Sequence, residues 1–448
     1  MSDTLHDLIG DMLASGAEAW QGLAEKALRG AGFESTLVRR TADGLARGPV
    51  FFEGETAALP DRPRDPHLPW QIRQTFVDAT TKSANAALLD DLMGGVTQIA
   101  LQVDATGEFG IPLADAEELE AVLAGVELSI APVFLEPGHS LDAGAVGTKL
   151  LALGASSGGL GLQADNEALL DLAAALPGFG VCSVDARCVH DTGGSEAQEI
   201  AYAAAGFAEA LGRLVEGGVE ADQAVSQIEV ILAADADIHL SIAKIRAARA
   251  VLAQILTAYD ANGAPAIRVV TSGRMMTRLD PWTNLIRLSA ASFAASVSGA
   301  DAVTILPATR ALGRPDRFAR RIVRNLHILL QEESHVGVVA DPSAGSYLHE
   351  TLARSLAEKG WAIFQDIEAA GGFGKLDADS PFVVDVASVR TALEKKYASG
   401  AGILFGVNRY AADDLRDMRA LEGSPPPSSD PLFPAICLED AALQGEIA

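Results

Sequence analysis

The stretch Ile267–Glu350 reads IRVVTSGRMMTRLDPWTNLIRLSAASFAASVSGADAVTIL, then PATRALGRPDRFARRIVRNLHILLQEESHVGVVADPSAGSYLHE. Short apolar runs rich in β-branched residues (266–272, 301–307 and 336–341) alternate here with longer Ala/Leu/Arg stretches of helical character. A strand that is apolar throughout, followed by a helix, predicts a parallel strand buried on both faces. Working outward, the same alternation gives further strands at 97–103, 126–133, 150–154, 180–186 and 228–234. About eight strand-plus-helix units in some 280 residues is the size of a (β/α)8 TIM barrel. An open doubly wound sheet is the alternative architecture.

The flanks read differently. Residues 1–34 have the pattern of amphipathic helices, and Ala42-Asp43-Gly44-Leu45 forms a hairpin-like turn between two strand-like runs. ALPDRPRDPHLPW (58–70) is a Pro-rich connector expected to be extended. Beyond Gly372, residues 386–398 suggest a helix, GILFGVNRY (402–410) a strand-like return, and SPPPSSDPLFP (424–434) an extended tail. The expected organisation is an N-terminal arm over 1–64, a barrel over 65–372 and a C-terminal helical linker and tail over 373–448.

Composition narrows the function classes. The 448 residues carry a net charge of −26. That leaves little to neutralise phosphates or to dock on an anionic membrane. No apolar run reaches the length needed to span a bilayer. Three cysteines (Cys182, Cys188, Cys437) without CxxC spacing predict free thiols in a reducing, cytoplasmic compartment. The acidic start MSDTLHDLIGDMLASGAEAW has no basic n-region and does not read as a targeting peptide.

In such a barrel a site forms where strands end and βα loops begin. The predicted tips offer Asp104, Gly154 to Gly161, Asp185 to Gly194, Ser272 to Asp280, Leu306 to Arg310 and Asp341 to Ser346. His190, beside Asp191, is the one imidazole at a predicted tip and the one candidate for acid–base work. A plain loop histidine satisfies the same spacing. GASSGGLGLQ (154–163) lacks GxGxxG spacing and a following basic residue, so a tight βα turn explains its glycines better than a phosphate cradle. No His/Cys/carboxylate grouping has the spacing of a metal site. The ARR triplet 319–321 with Arg324, and KIRAARA (244–250), read as solvated or salt-bridged helix faces.

IAKIRAAR (242–249), DPWTN (280–284), ALGRP (311–315), RNLHILLQEES (324–334), ADPSAGSY (340–347) and FGVNRY (405–410) occur in the order of landmarks in the methylmalonyl-CoA mutase family, which this chain resembles. EKALRGAGFESTLVRRTADGLARGPVF (25–51) and PWQIRQ (69–74) look like the small (beta) subunit of the heterodimeric bacterial enzyme. The resemblance implies a non-catalytic barrel paired with a large (alpha) catalytic subunit that holds adenosylcobalamin. The heterodimer would interconvert (R)-methylmalonyl-CoA and succinyl-CoA in propionate metabolism, and the arm would wrap the partner.

The departures from catalytic members point the same way. Thr75 stands where they place a tyrosine after the Arg-Gln pair, Val270 where they place a glutamine, and Arg310 where they place a glutamate. GLGLQADNE (159–167) replaces the stretch with a substrate-binding arginine, and the loop ending at FGIPL (109–113) is shortened. His190 is matched with the family's catalytic histidine as a vestige. DPH (65–67) and DIH (237–239) begin like the cobalt-ligating D-x-H-x-x-G motif but lack its glycine. No cobalamin-binding domain is expected after the linker, and neither cofactor, substrate nor metal is assigned to this chain. Two other readings remain: an active acyl-CoA mutase barrel using a cobalamin domain on a separate chain, and a free-standing scaffold or regulatory barrel.

Overall fold

The computed structural model describes residues 16–52, 69–411, 417–423 and 430–444. The Pro-rich connector up to 68 and the first part of the Pro/Ser tail lie outside these residues. Eight parallel strands close into a barrel: β3 (Gln71–Phe76), β4 (Gln98–Leu101), β5 (Val133–Leu135), β6 (Gly158–Leu162), β7 (Phe179–Asp185), β8 (Ile228–Ala234), β9 (Ala266–Thr271) and β10 (Ala302–Thr304). Their order around the barrel is β10-β3-β4-β5-β6-β7-β8-β9. The TIM-barrel expectation therefore holds, and the open sheet is excluded. All seven residues of β8, IEVILAA, are buried, as a strand covered on both faces requires.

Four strand positions differ from expectation. QIRQTF, not expected as a strand, is β3; its polar Gln71, Arg73 and Thr75 hide the apolar signature. Residues 126–131 form a turn with Ile130 exposed, and the strand begins only at Val133. LLALG ends the helix Ala143–Ala152, since a short apolar run fits helix and strand alike. The strand there is the glycine-rich β6. The run at 336–341 is no strand: Val338 and Val339 are exposed, and Gly337 lies against Pro69.

Long helices cover the barrel, among them Glu196–Glu216, Ile238–Ala258 and Tyr347–Ala369. The first begins at a capping box of Ser195 and Gln198. The predicted hairpin exists: β1 (Arg39–Arg40) pairs antiparallel with β2 (Ala46–Arg47). It is pinned to these helices. Asp43 accepts from the Ala197 amide at 3.2 Å, Lys359 donates to the Asp43 carbonyl, and Arg47 bonds Asp237 at 2.6 Å. The preceding helix Ala17–Ala27 buries none of its residues.

Two further short strands, β11 (Arg314–Pro315) and β12 (Ala420–Leu421), pair as a ribbon. The helix expected at 386–398 spans Pro381–Ala398. Residues 402–410 form a turn rather than a strand, with only a bridge between Phe405 and Arg409. Gly406, at φ +79, closes it against Asp280, where a Cβ would come within 2.4 Å of the carboxylate. The chain then returns to the barrel. The Ile436 amide donates to the Asp191 carbonyl at 2.9 Å, and Glu439, fully buried at the start of the helix Leu438–Gln444, accepts the backbone N–H groups of Arg278 and Leu279.

Candidate functional site

Charged side chains occupy the middle of the barrel. β5 and β9 are diametrically opposite in the strand order, so a bond between them must cross the lumen. Arg268 of β9 makes that bond, reaching Glu136 just after β5 through two contacts of 2.5 and 3.2 Å. Thr75 of β3 donates to the same carboxylate at 2.9 Å, and Thr304 of β10 accepts from Arg268 at 3.2 Å. Burial pushes the Glu136 carboxyl up, but Arg268, Arg187 and the hydrogen bonds from Arg268 and Thr75 outweigh it and bring its pKa to about 2.

A second crossing joins Arg73 of β3 to Glu229 of β8 at 2.7 Å, with Gln98 accepting from Arg73 at 2.8 Å. The Arg73 guanidinium lies 3.5 Å above the ring of Phe134. Burial brings the Arg73 pKa down to about 10. The glycines of β6 make this stack possible: a Cβ on Gly159 would fall 2.4 Å from Phe134. Gly158, Gly159 and Gly161 are strand glycines rather than the tight turn expected, and Gly159 is the one that yields to the ring. A charged residue on an otherwise apolar buried strand must find a partner. That was the sequence signal that could have exposed Glu229 and Arg268.

At the mouth is a cavity of about 90 Å³ lined by Thr75, Gln102, Phe109, Glu136, Arg187 and Arg310, among others. Arg187 forms a bidentate pair with Asp185 (2.6 and 2.7 Å) and lies 3.5 Å from Glu136. Burial draws the Arg310 pKa down to about 10, with Asp191 countering and Arg187 adding to the fall. Arg314 of β11 roofs the cavity, donating to the carbonyls of Gly107 and Glu108 in the loop after β4. Thr75 and Arg310, singled out in the sequence, thus meet at one cavity. Val270 is buried on β9.

His190 lies elsewhere. It is fully buried on the short helix Arg187–Asp191 and does not line the mouth cavity. Its Nδ1 is 3.4 Å from Glu199, and its Nε2 is 3.3 Å from Asp235. Lys244 bonds Glu199 at 2.5 Å, and Arg274 bonds both Asp235 (3.0 Å) and the His190 carbonyl (2.8 Å). Burial raises the Glu199 carboxyl, but Lys244 and His190 overcome this and bring it to about 2. The network joins the helices Glu196–Glu216 and Ile238–Ala258 to the end of β8. It is a buried cross-link between them.

The other predicted tips scatter. Asp104 closes its own exposed loop by accepting from Thr106 and the Phe109 amide. Asp280 caps the helix Pro281–Val297. Asp341 and Ser343 bind Arg246 on the outer helices. Arg320 and Arg324 of the triplet region pair with buried Asp91, so that helix face is bridged rather than solvated. His239 contacts His349 at 3.0 Å. All three cysteines are free. Among the described residues no helix is long and apolar enough to cross a membrane.

Comparison with known proteins places this geometry. The family model for methylmalonyl-CoA mutase matches residues 169–425. The chain is 34% identical to a protein named methylmalonyl-CoA mutase small subunit from Streptomyces virginiae, over 92% of this chain and 73% of that one. It is 33% identical to the probable methylmalonyl-CoA mutase small subunit of Mycobacterium tuberculosis strain H37Rv, over 84% of this chain and 67% of the relative. The small subunit from Propionibacterium freudenreichii subsp. shermanii is 37% identical, over 68% and 51%.

Proposed function

From the premise that this chain belongs to the methylmalonyl-CoA mutase family, we propose that it is the non-catalytic small subunit of a mutase heterodimer. It pairs with a large catalytic subunit that isomerises (R)-methylmalonyl-CoA and succinyl-CoA in the cytoplasm. The observation that carries this reading is the filled lumen. Two salt bridges cross it, and the cavity over them, about 90 Å³, falls well short of the roughly 300–1,000 Å³ of sites for drug-sized ligands; larger hollows of about 260 and 500 Å³ are lined by the loops after β5 and β6, and none of the four bridging residues borders them. An acyl-CoA thioester is larger still.

A corrin ring does not fit this mouth either. The ribbon of β11 and β12 and the loop after β4 roof the cavity, and no imidazole lines it. On this reading the large subunit holds adenosylcobalamin. The barrel's contribution is to support its partner. Among the described residues of the arm, the helix Ala17–Ala27, which buries none of its residues, rather than the pinned hairpin at 39–47, is the part we propose lies on the large subunit. The arm over 1–64 and the C-terminal linker are proposed as units on the same reading.

Co-expression of tagged chain with a cognate large subunit tests this. An equimolar complex is expected whose isomerase activity per complex is unchanged by Arg310→Gln or Thr75→Val in this chain. Recovery of the chain alone, or loss of turnover with intact assembly, would sink the reading. Turnover by this chain with only a separate cobalamin protein would establish the split-enzyme alternative.

A further inference from the structure

Two of the family landmarks, DPWTN (280–284) and FGVNRY (405–410), meet on the outside of the barrel, where Gly406 lies against Asp280. The helix Pro281–Val297 buries Asn284, Leu288, Ala291 and Ala295 on its inner face. Its outer face carries Trp282, Ile286 and Phe293 at i, i+4 and i+11, and Ile286 is 70% exposed. The Trp282 ring meets Phe318 of the helix Arg317–Ile328 edge-on at 6.4 Å. The turn at 402–410 is tied to the same helix by Arg287, which donates to the Phe405 carbonyl. In that turn Phe405 and Tyr410 stack at 5.5 Å, and Tyr410 is 75% exposed.

Leu279, Ile403 and Phe405 are about half exposed, and Phe318 more than a third. Large side chains offer on the order of 150–250 Å² each, so these six leave roughly 600 Å² of apolar surface uncovered. Single exposed apolar residues are ordinary, but a patch at the top of the roughly 300–600 Å² range found on monomers marks an interaction site. A stable pair of chains takes roughly 800 Å² from each partner, which this patch and its rim approach. Two exposed guanidinium groups form that rim. Arg321 lies 5.9 Å over the Phe318 ring and Arg409 lies 5.6 Å over the Tyr410 ring. Neither has an ion pair among the described residues. Asp440, beside Leu279, and Asp90, beside Phe318, are already taken by Arg278 and Arg317. A two-fold contact between identical chains sets a patch against itself. Self-pairing would therefore offer Arg321 and Arg409 no free carboxylate, and like charges across an interface are costly. The surface fits a different chain, apolar at its centre and acidic at its edge.

We infer that the outer face of the helix Pro281–Val297, with the turn at 402–410 and Phe318, is where the large subunit docks. Ile286, Phe405 and Tyr410 are buried at the centre of the contact, and Arg321 and Arg409 pair with carboxylates of the large subunit at its edge. Aromatic residues and arginine together are the composition that carries most of the energy of an interface. The inference rests on the subunit reading and adds to it a docking place on the barrel itself, apart from the arm helix Ala17–Ala27.

Affinity of the purified full chain for a cognate large subunit, measured for wild type and variants, tests it. Ile286→Asp and Tyr410→Asp, with circular dichroism and urea midpoint checked against wild type, are each expected to weaken binding at least about tenfold. Met93→Asp, at the exposed end of the helix Thr81–Met93, is expected to leave it unchanged. In a second measurement Ile286 is replaced by the photocrosslinker p-benzoylphenylalanine, and a cross-link to the large subunit is expected. Wild-type affinity in Ile286→Asp and Tyr410→Asp, or a cross-link only to a second copy of this chain, would overturn the docking surface and leave the subunit reading standing. If wild-type chain binds no large subunit at all, the subunit reading fails and the docking surface goes with it. The cross-link decides the location even if an aspartate variant does not fold.

Discussion

Replacing Arg268 by methionine removes the cation that Glu136 faces across the lumen. Glu136 is 4% exposed and receives two guanidinium contacts and the Thr75 hydroxyl. Its carboxylate would then stay in a low-dielectric interior with one hydroxyl and a more distant Arg187. Breaking a buried pair on one side costs about 3–5 kcal/mol. The double variant Arg268→Met/Glu136→Leu removes both charges, and its cost should fall to within about 1–2 kcal/mol of wild type. Urea unfolding followed by tryptophan fluorescence measures both.

The pH dependence gives a second check on the same variant. In wild type the Glu136 pKa lies near 2, below its ordinary value of 4.5. Its contribution is therefore present above pH 4.5 and lost as pH falls through about 2. In Arg268→Met burial acts with less opposition and raises the carboxyl, so its contribution is lost as pH rises. The gap between wild type and variant must widen with pH. A loss below about 1 kcal/mol, independent of pH, would mean that water fills the lumen and screens the pair, refuting the filled-barrel argument.

Other perturbations follow from the same structure. His327 is buried with its Nδ1 accepting from the Trp70 indole at 3.2 Å, and burial lowers its pKa to about 3. Its neutral form is favoured in the folded chain, so stability should fall by about 1.4 kcal/mol per pH unit between about pH 6.5 and 3. His327→Gln should flatten that slope in urea titrations at pH 7 and 5. Gly159→Ala should destabilise by about 1–3 kcal/mol through its clash with Phe134, and Phe134→Leu in the same chain should restore part of the loss by thermal unfolding. Lys244→Met strands the buried Glu199 carboxylate and should cost about 3–5 kcal/mol on denaturation.

The barrel was legible because apolar strands alternating with helices have few other solutions. β8 and β9 announce themselves as runs that can only be buried on both faces. The hairpin at 39–47 was legible because Asp-Gly fixes the turn locally. β3 and β6 were not, since their compositions answer to the lumen rather than to the strand. Arg73 and Thr75 in QIRQTF are polar because partners wait across the barrel, and Gly159 of β6 is a glycine because Phe134 needs its space. His190 illustrates the same limit. Its position after β7 follows from sequence, but the direction of its side chain, toward Glu199 and Asp235, depends on how two helices close over it. Sequence by itself determined the periodicities, the charge and the order of family landmarks, because each is a property of neighbouring residues. Only the tertiary structure decided which charges meet, because Arg268 and Glu136 lie 132 positions apart and are brought together solely by closure of the barrel.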